Sequence, residues 1–123
     1  MKLESFYPAL AVKDLKISMT FYEALGFTAM GGDVDGGWQI MRNGEITIGL
    51  YQGMFEDNIL TFNPGWDKNA QNLEEFEDIR DIQKKLKDAG LSLDVEADPS
   101  STGPAHLILK DPDGNTIMLD QHV

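Results

Sequence analysis

Two segments of the chain carry apolar residues at helical spacing. Over 14–26 and 77–89 these residues recur every three or four positions, as in a helix with one buried face. Asp14 is placed to cap the start of the first segment and Gly26 to end it, and Gly90 closes the second. Both segments are therefore predicted to be helices.

The buried faces of the two helices follow from the same spacing. For the first helix the predicted apolar face is Leu15, Ile17, Met19, Phe21, Tyr22 and Leu25. For the second helix the predicted inner stripe is Ile79, Ile82, Leu86 and Ala89.

Short apolar runs bounded by turn residues predict strands. They cover 6–12, 27–30, 38–42, 45–51, 58–62, 91–95, 106–110 and 115–120. Between 27–30 and 38–42 lies the stretch GGDVDGG, which is predicted to be a flexible loop. It does not have the glycine spacing of a phosphate-binding loop, and the chain shows no nucleophile motif or Cys/His cluster.

Two hairpins fix which strand residues face each other. A two-residue turn at Asn43-Gly44 predicts the pairs Arg42–Glu45, Ile40–Thr47 and Trp38–Gly49. A three-residue loop at 112–114 predicts the pairs Lys110–Thr116, Ile108–Met118 and His106–Asp120.

Strand alternation then separates core residues from those on the opposite face. The predicted core residues are Phe6, Leu10, Val12, Met41, Ile46, Ile48, Leu50, Leu107, Leu109, Ile117 and Leu119. The opposite face is predicted to carry Tyr7, Ala9, Ala11, Trp38, Ile40, Thr47, Gly49, Tyr51 and Met118.

The order strand, helix and three strands occurs twice. Asp14-Leu15 and Asp78-Ile79 are 64 positions apart (78 − 14), and so are Gly26-Phe27 and Gly90-Leu91 (90 − 26). An internal duplication explains this common spacing, although such residues are also frequent at helix ends. The prediction is an α+β fold of two units, about 1–55 and 56–123, within one domain.

Composition limits the partners and the location. The chain has 123 residues, 41% of them apolar and 25% charged, which suits one soluble domain. Its net charge of −11 argues against binding to nucleic acids and anionic membranes. It has no cysteine, no apolar run of membrane-spanning length and no signal-peptide pattern at its start, so a cytoplasmic location is expected.

Three motifs resemble the vicinal oxygen chelate superfamily, which includes glyoxalases, bleomycin-resistance proteins and extradiol dioxygenases. They are ALAVKDLKISMTFYEALGF (9–27), LKDAGL (86–91) and LILKDPDGNTIML (107–119). The resemblance implies two βαβββ units whose sheets curl around a shared cavity, with the helices outside. It also implies, in metal-using members, one metal ligand on the first and one on the last strand of each unit.

The corresponding positions in this chain lack the family's usual His and carboxylate ligands. They are Tyr7, Gly49, either Asn58 or Leu60, and Met118. One tyrosine among Gly and Met does not make a site for a hard divalent ion. We therefore expect no metal and no other cofactor.

The expected cavity is apolar and aromatic, with Gly49 leaving room for the indole of Trp38. Its predicted ligand-binding residues are Tyr7, Trp38, Gly49, Tyr51, Phe62, Trp66 and Met118. Trp66 lies in the unusual segment 63–72 and is interpreted either as a pocket lid or interface residue, or as a residue packed under its own loop. These residues predict a protein that binds a small hydrophobic or aromatic molecule, unless the side chains merely fill the cavity as core.

Two other functions remain open at this point. One is a glyoxalase-like lyase or isomerase, or a dioxygenase relative, using a metal or a His106–Asp120 acid–base pair; an ordinary surface pair is the alternative for these two residues. The other is a protein with a filled cavity that acts through its dimer surface. His122 is expected to be exposed, and the resemblance favours a homodimer.

Overall fold

The computed structural model describes all 123 residues, in seven strands and two helices. The elements are β1 (Ser5–Val12), α1 (Leu15–Ala24), β2 (Thr28–Asp33), β3 (Trp38–Asn43), β4 (Ile46–Gln52), β5 (Ile59–Asn63), α2 (Ile79–Asp88), β6 (Ala105–Lys110) and β7 (Thr116–Gln121). The fold is thus α+β, as predicted. Neither helix has the length and apolar character needed to cross a membrane.

The chain forms two compact units. The first unit is Tyr7–Ile59, and the second unit is Met1–Phe6 together with Leu60–Val123. The predicted boundary near residue 55 was defined by the sequence repeat and remains a prediction.

The sheet of the first unit has the strand order β2-β3-β4-β1. Strand β1 runs parallel to β4, whereas β2 and β3 pair antiparallel with their neighbours. Helix α1 contributes Leu15 to a core with Met41, Ile48 and Leu50. Around this core pack Leu10, Val12, Met19, Tyr22, Phe27 and Val34. The predicted core residues of β1, β3 and β4 are therefore confirmed, apart from Phe6 and Ile46, which are 48% and 62% exposed.

Helix α1 begins and ends at the predicted residues. The Asp14 carboxylate accepts a hydrogen bond from the amide of Ile17 at 3.2 Å, and Gly26 has φ of +97°, which favours glycine. The predicted buried face is wrong for three residues, Ile17, Phe21 and Leu25, which are 69%, 59% and 57% exposed. A helix turns about 100° per residue, so Ile17 lies on nearly the opposite side from Leu15.

The first hairpin is shifted by two residues from the predicted register. Asn43 pairs with Ile46, Ile40 with Gly49, and Trp38 with Tyr51, so the loop is Gly44-Glu45. Gly44 has φ of +59°, which suits glycine at the first central position of a type II′ turn. Because the shift is even, each side chain keeps its predicted face of the sheet.

Strand β2 is longer than predicted and takes in the start of the glycine-rich stretch. It continues through Asp33, and its pairing with β3 carries a bulge between Ala29 and Gly31. Strand β2 lies at the edge of the sheet of the first unit, and all six of its residues are exposed.

The second unit has the strand order β5-β7-β6. All three predicted pairs of its hairpin are confirmed, namely Lys110–Thr116, Ile108–Met118 and His106–Asp120. Its core joins the α2 residues Ile79 and Ile82 to Leu107, Leu109 and Leu119. Leu86 and Ile117 pack against this core, as predicted, whereas Ala89 is the exposed C-cap residue of α2.

The predicted strand at 91–95 is wrong. This segment makes only one isolated bridge, between Val95 and Ile108. Leu91 and Val95 are exposed, and only Leu93 packs against the core, so the segment lacks a buried face that would extend the pairing. The second unit consequently departs from a full strand, helix and three-strand order.

Each helix is tied at its start to the last strand of its own unit by a glutamine. The amide of Leu15 donates to Oε1 of Gln52 at 2.8 Å, and the amide of Ile79 donates to Oε1 of Gln121 at 2.8 Å. Gln52 and Gln121 are the last residues of β4 and β7. This repeated contact supports the internal duplication and was missed by the sequence reasoning.

Arg80 adds a polar network at the start of α2. Its guanidinium contacts both carboxylate oxygens of Asp78 at 3.0 and 3.1 Å, the hydroxyl of Ser101 and the carbonyl of Gly103. Partial burial by itself raises the pKa of Asp78, but hydrogen bonds from Arg80 and Gln121 outweigh it and hold this pKa below its usual value.

Candidate functional site

One face of the sheet in the first unit combines small residues with aromatic ones. The strand register places Ala9, Gly49 and Ile40 in one row across β1, β4 and β3. The next row on this face consists of Ala11, Tyr51 and Trp38. The opposite face carries the core residues that pack with α1. On the face described here Ala9 and Gly49 are buried, whereas the row of Ala11, Tyr51 and Trp38 is partly exposed.

Three half-buried rings form the aromatic cluster of this face, Trp38, Tyr51 and Phe55. The rings of Trp38 and Tyr51 are nearly parallel, at 8°, with centroids 6.3 Å apart. Phe55 tilts against Tyr51 at 5.4 Å. Phe55 was not predicted as part of this site. The sequence signal for it is Gly53, whose φ of +75° allows a tight turn after β4 that brings Phe55 back to Tyr51.

Gly49 makes room for Tyr51 instead of Trp38. A Cβ atom at Gly49 would lie 2.6 Å from Cε2 of Tyr51 and 3.2 Å from Cδ1 of Ile40. The predicted partnership of Gly49 with Trp38 is therefore wrong, because the two-residue shift in register brings Tyr51 opposite the indole. The glycine allows the Tyr51 ring to lie back over the strand.

The residues at the family's metal positions do not fit a divalent ion. Gly49 has no side chain to offer, and Met118 offers only a thioether to an ion that prefers oxygen and nitrogen. The side-chain oxygen of Asn58 already accepts from the amide of Ala11 at 2.9 Å, and Leu60 has no polar group. The chain contains no group of three or more His, Asp or Glu residues that could hold a metal ion.

The second unit carries a His–Asp contact, but with a different histidine from the one predicted. Asp120 lies opposite His106 in the strand pair, yet its carboxylate contacts Nε2 of His122 at 2.9 Å. The side chain of His106 makes no hydrogen bond or ion pair, although its backbone belongs to the β6–β7 pairing. The predicted cross-strand pairing of His106 with Asp120 is confirmed, but the side chain of Asp120 contacts His122, which lies two residues further along on the same face of the chain. An acid–base role of His106 and Asp120 remains a prediction.

An indole ring packs against this contact. The Trp66 ring meets the His122 ring edge-on at 4.4 Å, and its Nε1 donates to Oδ1 of Asn72 at 3.0 Å. An open depression of about 330 Å³ lies beside Asp120 and His122, and His106 lines it as well. Trp66 is therefore held by its own loop and by His122.

The loop around Trp66 closes on itself. The amide of Leu73 donates to the carbonyl of Gly65 at 2.9 Å, and the carboxylate of Asp67 accepts from the amides of Asn69 and Gln71. Apart from Leu73, which follows it directly, these residues belong to the unusual segment 63–72.

Two further predicted site residues, Phe62 and Met118, lie on different faces of the second unit. Phe62 packs against the α2 core, and its ring centroid lies 5.0 Å from that of Phe6. Its place in a ligand site remains a prediction. Met118 is half-buried and pairs with Ile108 on the face away from that core. Thr61 and Asn63 lie on the face of β5 opposite to Phe62. Thr61 Oγ1 and Asn63 Nδ2 are buried there without a hydrogen-bond partner, and the sequence did not indicate either of them.

Comparisons with known proteins identify the family. A model of the glyoxalase/bleomycin resistance protein/dioxygenase superfamily matches residues 6–119. The chain belongs to this superfamily, as the sequence motifs predicted. No curated protein matches the chain.

Solved structures share the fold at low sequence identity. A superfamily member from Vibrio splendidus 12B01 is 14% identical with a TM-score of 0.66, over 94% of this chain and 97% of that one. A structure named NAD-dependent benzaldehyde dehydrogenase, from Legionella pneumophila, is 14% identical with a TM-score of 0.71, over 96% of this chain and 99% of that one. An extradiol ring-cleaving dioxygenase from B. fuscum is 20% identical with a TM-score of 0.59, and the match covers 95% of this chain and 32% of that one. Their differing names show that this fold does not specify one activity.

Proposed function

We propose that this chain is a metal-independent member of its superfamily that binds a small planar molecule against the aromatic cluster of the first unit. The observation that carries the proposal is the near-parallel arrangement of Trp38 and Tyr51, at 8° and 6.3 Å. Half-buried rings of this kind offer a large apolar surface together with a polar edge, which suits recognition of a flat ligand. The small side chain of Ala11, in the same row as the two rings, keeps the strand beside them low.

Charge narrows the class of ligand. The chain has a net charge of −11, so its surface field favours neutral or cationic molecules over anionic ones. The faces of indole and phenol rings also attract cations. The expected ligand is therefore a neutral or cationic planar compound, which is the sequestering type of function associated with bleomycin-resistance proteins.

The two tryptophans allow a direct test, since one lies in each unit. In the variant Trp66→Phe, Trp38 is the only tryptophan, and its fluorescence reports on the aromatic cluster. We expect saturable quenching of this emission by the cationic planar dye thioflavin T, and weaker quenching by the anionic 1-anilinonaphthalene-8-sulfonate.

The variant Trp38→Phe is the matched control, because it leaves only Trp66 in the second unit. Its emission should respond weakly or not at all to thioflavin T. An equal response of both variants, or no saturable response of Trp38, would contradict the proposal.

Metal independence is tested separately. The purified protein is dialysed against equimolar Zn²⁺, Mn²⁺ and Ni²⁺ and its metal content is measured by inductively coupled plasma mass spectrometry. We expect less than stoichiometric metal and no effect of EDTA on dye binding, because the side chains at the family positions lack suitable donors. A stoichiometric ion would refute this part of the proposal.

A second candidate function, acid–base catalysis, is favoured by the Asp120–His122 contact. A carboxylate 2.9 Å from an imidazole can orient the ring and support a general base. Isomerisation of the hemithioacetal of methylglyoxal and glutathione is the assay. Activity that is lost in His122→Asn but retained in His106→Asn would favour catalysis over simple binding.

The predicted cytoplasmic location and the absence of nucleic-acid and membrane partners belong to the same proposal. The expected lack of nucleic-acid and membrane partners rests on the acidic composition, and the expected cytoplasmic location rests on the absence of cysteine and of an apolar run of membrane-spanning length.

A further inference from the structure

Trp66 lies in a loop whose own hydrogen bonds give it a defined shape. We call residues 64–73, which follow β5, the Trp66 loop. The amide of Asp67 donates to the carbonyl of Gln71 at 2.9 Å, and the indole of Trp66 donates to Asn72 at 3.0 Å. The loop can therefore move as one body, and its position depends on the contacts that it makes with neighbouring elements.

The two residues after β7 contact this loop. The rings of Trp66 and His122 have centroids 4.4 Å apart and meet at 69°. A Cβ atom at Gly65 would lie 2.6 Å from Cγ2 of Val123, so Val123 packs closely against the backbone of the loop. Of these two contacts, only the one with His122 contains a titratable side chain.

His122 is placed so that a positive charge on its ring strengthens two contacts at once. Its Nε2 lies 2.9 Å from Oδ2 of Asp120, so protonation turns this contact into an ion pair. The ring also lies within the ~6 Å at which an indole attracts a cation. Histidine is the side chain that ordinarily changes charge between about pH 5 and 8. Both contacts therefore weaken as the pH rises through this range.

The other charged groups around His122 keep their charge over this range or do not contact Trp66. On the neighbouring elements these groups are Asp120 on β7, His106 on β6, Asp67 and Lys68 in the loop, and Asp78 and Arg80 at the start of α2. The pKa of Asp78 lies below its usual value, so this carboxylate stays ionised. Only the two histidines ordinarily change charge between about pH 5 and 8, and only His122 packs on Trp66.

We propose that Asp120, His122 and Trp66 form a pH-sensitive clamp on the Trp66 loop. Protonated His122 holds the loop against the end of β7, and neutral His122 releases it. His122 also lines the depression of about 330 Å³, so the state of the clamp decides whether one wall of that depression is fixed. This control does not depend on the ligand site proposed in the first unit.

The emission of Trp66 reports on the clamp in the variant Trp38→Phe, where Trp66 is the only tryptophan. We expect one sigmoidal change of emission between about pH 5 and 8, while far-ultraviolet circular dichroism stays constant. In this background His122→Asn should abolish the change. The matched control is His106→Asn, which removes the other histidine of the depression and should leave the change intact. Asp120→Asn should move the transition to lower pH, because the imidazolium loses its counter-charge.

Collisional quenching by acrylamide separates release of the loop from a purely local change in fluorescence. Acrylamide is uncharged, so its access to Trp66 depends on the position of the loop. The equilibrium between held and released loop should shift about three- to tenfold across the pH range, as one cation–π contact and one exposed ion pair allow. The quenching constant of Trp66 should therefore rise with pH, whereas His122→Asn should keep the high value at every pH.

Three results would overturn the proposal. One is an emission and a quenching constant that do not change between about pH 5 and 8. Another is a transition that persists in His122→Asn, and the last is a transition that His106→Asn abolishes. If His122→Asn does not fold, Asp120→Asn decides, since an unshifted transition in that variant would also contradict the clamp.

Discussion

The glutamine that holds the start of α2 provides the sharpest test of how this fold is stabilised. Gln121 is 1% exposed, and its Oε1 accepts from the amide of Ile79, a residue that is fully buried. Its Nε2 donates to Asp78, Gly103 and Val123. The perturbation is Gln121→Met, which keeps the length of the side chain and removes every hydrogen bond.

The expected loss of stability depends on which hydrogen-bond partners of Gln121 keep another contact in the variant. Asp78 and Gly103 keep their contacts with Arg80, so they lose little. The amide of Ile79 has no other acceptor and no access to water. Leaving one buried donor unsatisfied costs about 1–3 kcal/mol, so we expect the free energy of unfolding to fall by about 2–3 kcal/mol.

Gln52→Met is the matched control in the first unit. It removes the equivalent bond to Leu15, which has the same length of 2.8 Å. Because Gln52 is exposed, water can replace its oxygen as the acceptor for the amide of Leu15. We therefore expect the free energy of unfolding to fall by only about 0.5–1 kcal/mol.

Urea denaturation of both variants, followed by circular dichroism, gives the two free energies by linear extrapolation. Equal losses, or a loss below about 1 kcal/mol for Gln121→Met, would refute the reasoning that burial of the amide decides the cost.

Three further predictions concern the aromatic cluster and the start of α2. Gly49→Ala should displace the Tyr51 ring and cost about 1–3 kcal/mol, with a red shift of tryptophan emission in a Trp66→Phe background; an unchanged spectrum would contradict this. Because the pKa of Asp78 is lowered on folding, its contribution is complete above about pH 4 and is lost as the pH falls through the folded value. The free energy of unfolding should therefore fall less steeply with decreasing pH in Asp78→Asn than in the wild-type protein. Arg80→Lys should lower the free energy of unfolding in urea by about 1–2 kcal/mol, because an ammonium group cannot contact Asp78 and Ser101 at the same time. An unchanged free energy would show that these contacts of Arg80 do not stabilise the fold.

The sequence predicted those parts of the fold that depend on local signals. Each helix starts at an aspartate, Asp14 or Asp78, and ends before a glycine, Gly26 or Gly90. Each of these residues affects only the helical turn next to it, so its effect could be predicted from the sequence. The last hairpin was predicted in its correct register, because Pro112, Asp113 and Gly114 mark a single three-residue loop.

The wrong predictions concern positions where the sequence is compatible with two local structures. Either Asn43-Gly44 or Gly44-Glu45 could form the two-residue turn, and both choices preserve the faces of β3 and β4. Alternation therefore could not identify Gly44-Glu45 as the turn. For α1, apolar residues occur on both sides of the helix, and periodicity alone did not reveal which side is buried. The Asp120–His122 contact was missed because pairing across strands was considered and spacing along one strand was not.

The bulge in β2 bears on how the protein avoids aggregation. The exposed edge of a sheet offers unpaired amide and carbonyl groups to any other extended chain. In β2 the residues Thr28, Ala29 and Met30 offer such an edge, but the bulge before Gly31 interrupts its regular spacing and the strand ends at the charged Asp33. An incoming strand could therefore form only a short ladder along this edge, which disfavours aggregation through β2.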